Sequence, residues 1–199
     1  MKDSKLISSV YLITMSMILI SGFNFYFDLT HYLRYTPIFN LGSIVSQSTN
    51  LIFLVTIFVY LSILLFIQQK DRIAIFIVLI GAIMGSMGNI IDLLLDFKYQ
   101  NFSLQSISTN VGFIFFYLAF IIIFYKLYKK SVYFASSELN LKIFYLGIVA
   151  VLISYGIKGF NKISSSLFAG KIVTADSVEA VISIAFIISL VSLIRRRII

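Results

Sequence analysis

The sequence predicts an all-α polytopic integral membrane protein, with six transmembrane helices arranged as three hairpins and polar loops facing the outer side. Three observations carry this. Of 199 residues, 60% are hydrophobic and 12% charged, and the mean hydropathy is +1.01, whereas a soluble domain has about 45–50% apolar and about 25% charged residues. The apolar residues fall into six runs, each close to the roughly 20 residues that cross a bilayer as a helix. The basic residues gather in short clusters where those runs end.

The same composition excludes several chemistries. There is no cysteine, one histidine, no tryptophan and one proline. Thiol chemistry and disulfides are absent, and a zinc site or a His-based triad is not expected. No metal or cofactor is expected. The net charge of +8 does not indicate a nucleic-acid partner, because clusters at span ends are topology signals. The lipid bilayer is the expected partner.

The first hairpin covers residues 6–70. A polar start with Lys2 and Lys5 leads into a span at 6–23, read as a retained signal anchor because no small-residue cleavage site follows it. Residues 24–50 form a polar-aromatic connection with Asp28, His31, Arg34 and Pro37. A second span follows at 51–67. The second hairpin, 72–130, has spans at 73–95 and 111–128 joined by a polar connection at 96–110. The third, 141–197, has spans at 141–157 and 177–194 joined by a Ser- and Gly-rich connection, and ends in Arg195-Arg196-Arg197, a topology anchor near anionic lipid.

Orientation follows from the bases. Eleven of the 16 lie on the side of the termini, including Lys70, Arg72, Lys129 and Lys130. Arg34, Lys98, Lys158, Lys162 and Lys171 lie on the other. The positive-inside rule makes both termini cytoplasmic in the cell membrane and turns Asp92, Asp96 and Asp176 outward. A repeat runs through the hairpins: Ser48-Thr49-Asn50, Ser108-Thr109-Asn110 and Thr174-Ala175-Asp176 each open an even-numbered span. Ordinary N-caps explain that pattern as well as shared ancestry of the hairpins does.

The most informative stretch lies at the end of the third span. Gly81, Gly85, Gly88, Asp92 and Asp96 are spaced by four, three, four and four, which puts all five on one helical stripe. Glycines on such a stripe let a second helix approach closely. The stripe carries Asn89 and Asp92 to the end of that seam. A carboxylate there is solvated, paired or used.

Two carboxylates that share a proton can act as general base and general acid, and this is the hydrolytic chemistry most compatible with the composition. Asp92 is the leading candidate. Asp96 reads as solvated near the loop, Asp176 as an N-cap, and Asp28 has no clear partner. Glu179, a turn inside the last span, points to a protein interior or polar cavity. His31, beside Tyr32 and Tyr35, reads as part of an interfacial aromatic belt.

Residues 85–92, Gly-Ser-Met-Gly-Asn-Ile-Ile-Asp, resemble the third-span Gly-Asn-x-x-Asp motif of signal peptidase II, the lipoprotein signal peptidase. Asp96-Phe97 is similar to the Asp-Phe that follows in that family, and Asn40-Leu41-Gly42 to its Asn-x-Gly stretch. The resemblance covers roughly residues 6–130. It implies an aspartyl peptidase with two catalytic Asp residues acting on lipid-modified precursor proteins, with Asp92 as the first. The family's second Asp opens the fourth span in a Phe-Asn-x-Ala-Asp motif. Here that place reads Ile107-Ser108-Thr109-Asn110, and Leu93 stands where the family has Arg. The nearest Ala-Asp sequence is Ala175-Asp176, so the expected dyad is Asp92 with Asp176, and Asn89, Asn40 and Asn110 position the substrate or the dyad. Two other readings fit the same residues: a non-catalytic relative that binds a lipidated peptide or serves as a membrane-complex subunit, and a six-span substrate-binding transporter component.

Overall fold

A computed structural model describes residues 2–35, 41–67, 72–100, 104–129, 149 and 175–195. It is helical throughout the main described segments: α1 Lys2–Tyr35, α2 Leu41–Phe66, α3 Arg72–Lys98, α4 Leu104–Tyr128 and α5 Ala175–Arg195. Four stretches are long and apolar enough to cross a membrane: Lys5–Phe27, Leu41–Phe66, Arg72–Lys98 and Ser106–Tyr128. Helix α5 carries a shorter apolar stretch, Val181–Leu193. The structure thus has four candidate spans among the described residues where six were expected. The expected span at 141–157 lies outside those residues, apart from Val149.

The first two polar connections are shorter than expected. Helix α1 continues through Asp28, His31 and Arg34 to Tyr35, and α2 starts at Leu41 rather than at 51. In the first turns of α2, polar residues stay helical because packing on α3 outweighs their modest propensity penalty. The Ser-Thr-Asn triplets are consequently not caps. Asn50 lies well inside α2 and Asn110 well inside α4, and both reach across to other helices.

Helix α2 packs on α3, α3 on α4, α1 on α2, and α5 on α1. The register of the central three helices is antiparallel. Gly42 meets Asp92, while Thr49 meets Gly88 and Thr56 meets Gly81. Across the other seam, Tyr117 meets Gly85, and Asn110 meets Asp92. The short connections between these helices favour this arrangement.

The expected glycine stripe is the buried face of α3: Gly81, Gly85, Gly88, Asp92 and Asp96 are all buried. The approach is close at all three glycines, and a Cβ at Gly81 would lie 2.5 Å from the Thr56 hydroxyl oxygen. A Cβ at Gly85 would lie 2.6 Å from Cζ of Tyr117, and one at Gly88 would overlap the Thr49 hydroxyl. Below the glycines an aromatic core closes the bundle. The Phe53 ring meets Tyr117 edge-on at 4.9 Å and Phe120 at 5.3 Å, and Tyr60 meets Phe124 edge-on at 5.3 Å. Exposed apolar side chains such as Leu12, Leu19, Met87 and Leu94 suit a lipid surround.

Candidate functional site

Asp92 is buried, with 8% of its surface exposed. Two neutral donors converge on its Oδ2, the Ser46 hydroxyl of α2 at 3.1 Å and the Asn110 Nδ2 of α4 at 3.1 Å. Three helices therefore meet at one carboxylate oxygen. Both groups can donate to an ionised carboxylate, and such bonds are stronger than bonds between neutral groups. The other oxygen faces the backbone of α2 at Gly42. A Cβ there would overlap Asp92 Oδ1 and lie 3.0 Å from Asp92 Cα. Gly42 is thus what lets α2 close over the carboxylate.

A second carboxylate stands one helical turn further along α3. Asp96 is buried, not solvated as its nearness to the loop predicted. It accepts a hydrogen bond from the Ser106 hydroxyl of α4. Ser106 also receives a long contact, 3.5 Å, from Asn110 Nδ2. The order is therefore Asp92, Asn110, Ser106, Asp96.

One turn in the other direction lies a neutral network. Asn89 Nδ2 donates to the Gly85 carbonyl at 2.7 Å and to Asn50 Oδ1 at 2.9 Å. The Tyr117 hydroxyl donates to the same Asn50 oxygen at 2.8 Å. The directions are set by chemistry. A carbonyl only accepts, so the Asn89 atom beside Gly85 is nitrogen. The Asn50 atom beside that nitrogen is then oxygen, and Tyr117 must donate to it.

Of the expected site residues, Asp92, Asn110 and Asn89 come together at the α2–α3–α4 seam. Asn40 lies outside the described residues. Asp176 is the second residue of α5, which packs on α1, and its side chain lies outside the described residues, as do those of Asp28, His31 and Glu179. The described hydrogen-bond partners of Asp92 are thus a hydroxyl and an amide. Ser46, Asn50, Ser106 and Tyr117 belong to the site without having been expected there. The spacing Gly42, Ser46, Asn50 is itself a helical stripe, hidden because that segment reads as a loop. Among the described residues no group of three or more His, Cys, Asp or Glu side chains could hold a metal ion.

Comparison with known proteins yields no matching family model, no matching curated protein and no matching solved structure.

Proposed function

We propose that the Asp92 site binds the peptide segment of a lipid-modified precursor protein at one face of the membrane, on a signal peptidase II-like scaffold, without hydrolysing it. The observation that carries this reading is the Asn110 amide on the Asp92 carboxylate. The resemblance expects the start of the fourth span to face the Gly-Asn-x-x-Asp end of the third, and the meeting of positions 92 and 110 supports that expectation. Aspartyl hydrolysis, however, needs one carboxylate to take a proton from water and a second to give one. The Asn110 amide donates a hydrogen bond but is too weak an acid and too weak a base to give or take a proton in hydrolysis, so the pair retains recognition and lacks the acid. The distribution of bases supports six spans with cytoplasmic termini, and this orientation turns the site outward.

A hydrolytic reading is favoured by one observation, the burial of Asp96 beside the same network. In that reading Asp96, or Asp176 from the last helix, is the second acid to Asp92.

The test is incubation of the purified full chain in nanodiscs with a diacylglyceryl-modified prolipoprotein, following binding and cleavage together. Binding without cleavage, weakened by Asp92→Asn, is the expected result. Cleavage abolished by Asp92→Asn would replace the binding reading with the hydrolytic one. Neither binding nor cleavage by folded protein would remove both.

A further inference from the structure

Asn50 sits one turn along α2 from Ser46, about 6 Å deeper into the bundle than the contact with Asp92. Its Oδ1 accepts from both Asn89 Nδ2 and the Tyr117 hydroxyl, which occupies both lone pairs of that oxygen. Because the Gly85 carbonyl can only accept, which fixes Asn89 Nδ2 as the donor, the Asn50 amide cannot flip without breaking two hydrogen bonds. The two N–H groups of Asn50 Nδ2 therefore point away from Asn89 and Tyr117. They make no hydrogen bond among the described residues. Asn50 is only half-buried, so those donors are reachable.

An amide held in one orientation by three other groups, with its donors left over, is preorganised to recognise an acceptor. An apolar membrane interior gives such donors no substitute partner. The acceptor must be neutral, because Asp92 and Asp96 lie on the same seam and repel an anion. We infer that Asn50 is a recognition residue, whose Nδ2 donates to a carbonyl oxygen of the bound lipid-modified peptide, deeper in the bundle than the segment at Asp92. This rests on the proposed binding of such a ligand. The carbonyl belongs either to the peptide backbone or to an ester of the diacylglyceryl group, and the chemistry recognised is the same.

The full chain in nanodiscs tests this with a synthetic diacylglyceryl-cysteine lipopeptide and its dialkyl-ether analogue, which lacks the ester carbonyls. Asn50→Asp keeps the accepting oxygen and the shape but removes both donors. Asn50→Leu removes them without adding charge. Thermal melting establishes that each variant is folded. The expected result is binding of the ester probe by the wild type, weakened about threefold to tenfold in both variants. If an ester carbonyl is the acceptor, the ether probe binds the wild type weaker by a similar factor and loses nothing further in the variants. If a peptide carbonyl is the acceptor, both probes lose affinity equally on substitution. Unchanged affinity in folded variants, or a loss confined to the charged Asn50→Asp, overturns the assignment of Asn50 while leaving the Asp92 reading in place. A wild type that binds neither probe overturns both.

Discussion

Asn110 Nδ2 lies 3.1 Å from Asp92 Oδ2, so an amide from α4 occupies the hydrogen-bonding partner position of a buried acid on α3. The geometry needed for two acids to share a proton is present, and one of the two is not an acid. Asn110→Asp supplies it with almost no change in volume. Two carboxyl groups at this separation share one proton because both cannot ionise together. The expected outcome is cleavage of a lipid-modified precursor at least about 10²-fold above the wild-type rate, the lower end of what general acid–base catalysis contributes. Time-resolved gel analysis of the precursor measures it.

The glycine seam predicts a graded set of packing defects. Gly85→Ala forces a methyl group into the buried Tyr117 ring, and Gly88→Ala forces one into Thr49. Each is expected to destabilise the bundle by about 1–3 kcal/mol, the usual cost of overpacking. Gly22→Ala is the control, since no described residue lies within 4 Å of its Cβ position. Unfolding in mixed micelles of detergent and sodium dodecyl sulfate ranks the three.

Much of this seam was legible in advance. Four-, three- and four-residue spacing of glycines and acids identifies a helix face whatever surrounds it. The partners were not legible, because residues 41–50 are too polar to read as part of a span. Gly42, Ser46 and Asn50 nevertheless lie within α2, on the face that meets α3. Asn110 was visible as a departure from a motif, but its contact with Asp92 required the register between α3 and α4. Tyr117 lies two turns from Asn110, yet tyrosine is too common in this chain for that spacing to stand out.

Two buried tyrosines predict effects of opposite sign. The Tyr117 hydroxyl donates to Asn50, so Tyr117→Phe is expected to cost about 0.5–1.5 kcal/mol. Among the described residues, the buried Tyr60 hydroxyl has no hydrogen-bond partner. Tyr60→Phe removes a desolvated polar group and keeps the ring contact with Phe124, so it is expected to stabilise by about 1 kcal/mol. Paired unfolding curves in one detergent check the signs directly.

Two residues past the end of α3, Gln100 has φ 54°, a left-handed conformation that costs a non-glycine residue roughly 1–2 kcal/mol. Gln100→Gly is expected to raise stability by up to about 1 kcal/mol, because glycine adopts this backbone freely but is more flexible when unfolded. The same unfolding assay reads the gain.

The position of Asp92 along α3 bears on the lipid as much as on the protein. The 27 residues of α3 span roughly 40 Å, against a hydrocarbon core about 30 Å thick. Centred in that core, the helix carries Asp92 only a few ångströms beneath its boundary. Headgroups and water drawn inward toward that depth would dimple the bilayer at this end of the bundle. Hydration of the seam then depends on the thickness of the host membrane, so the lipid composition around the protein becomes a control on access to the carboxylate.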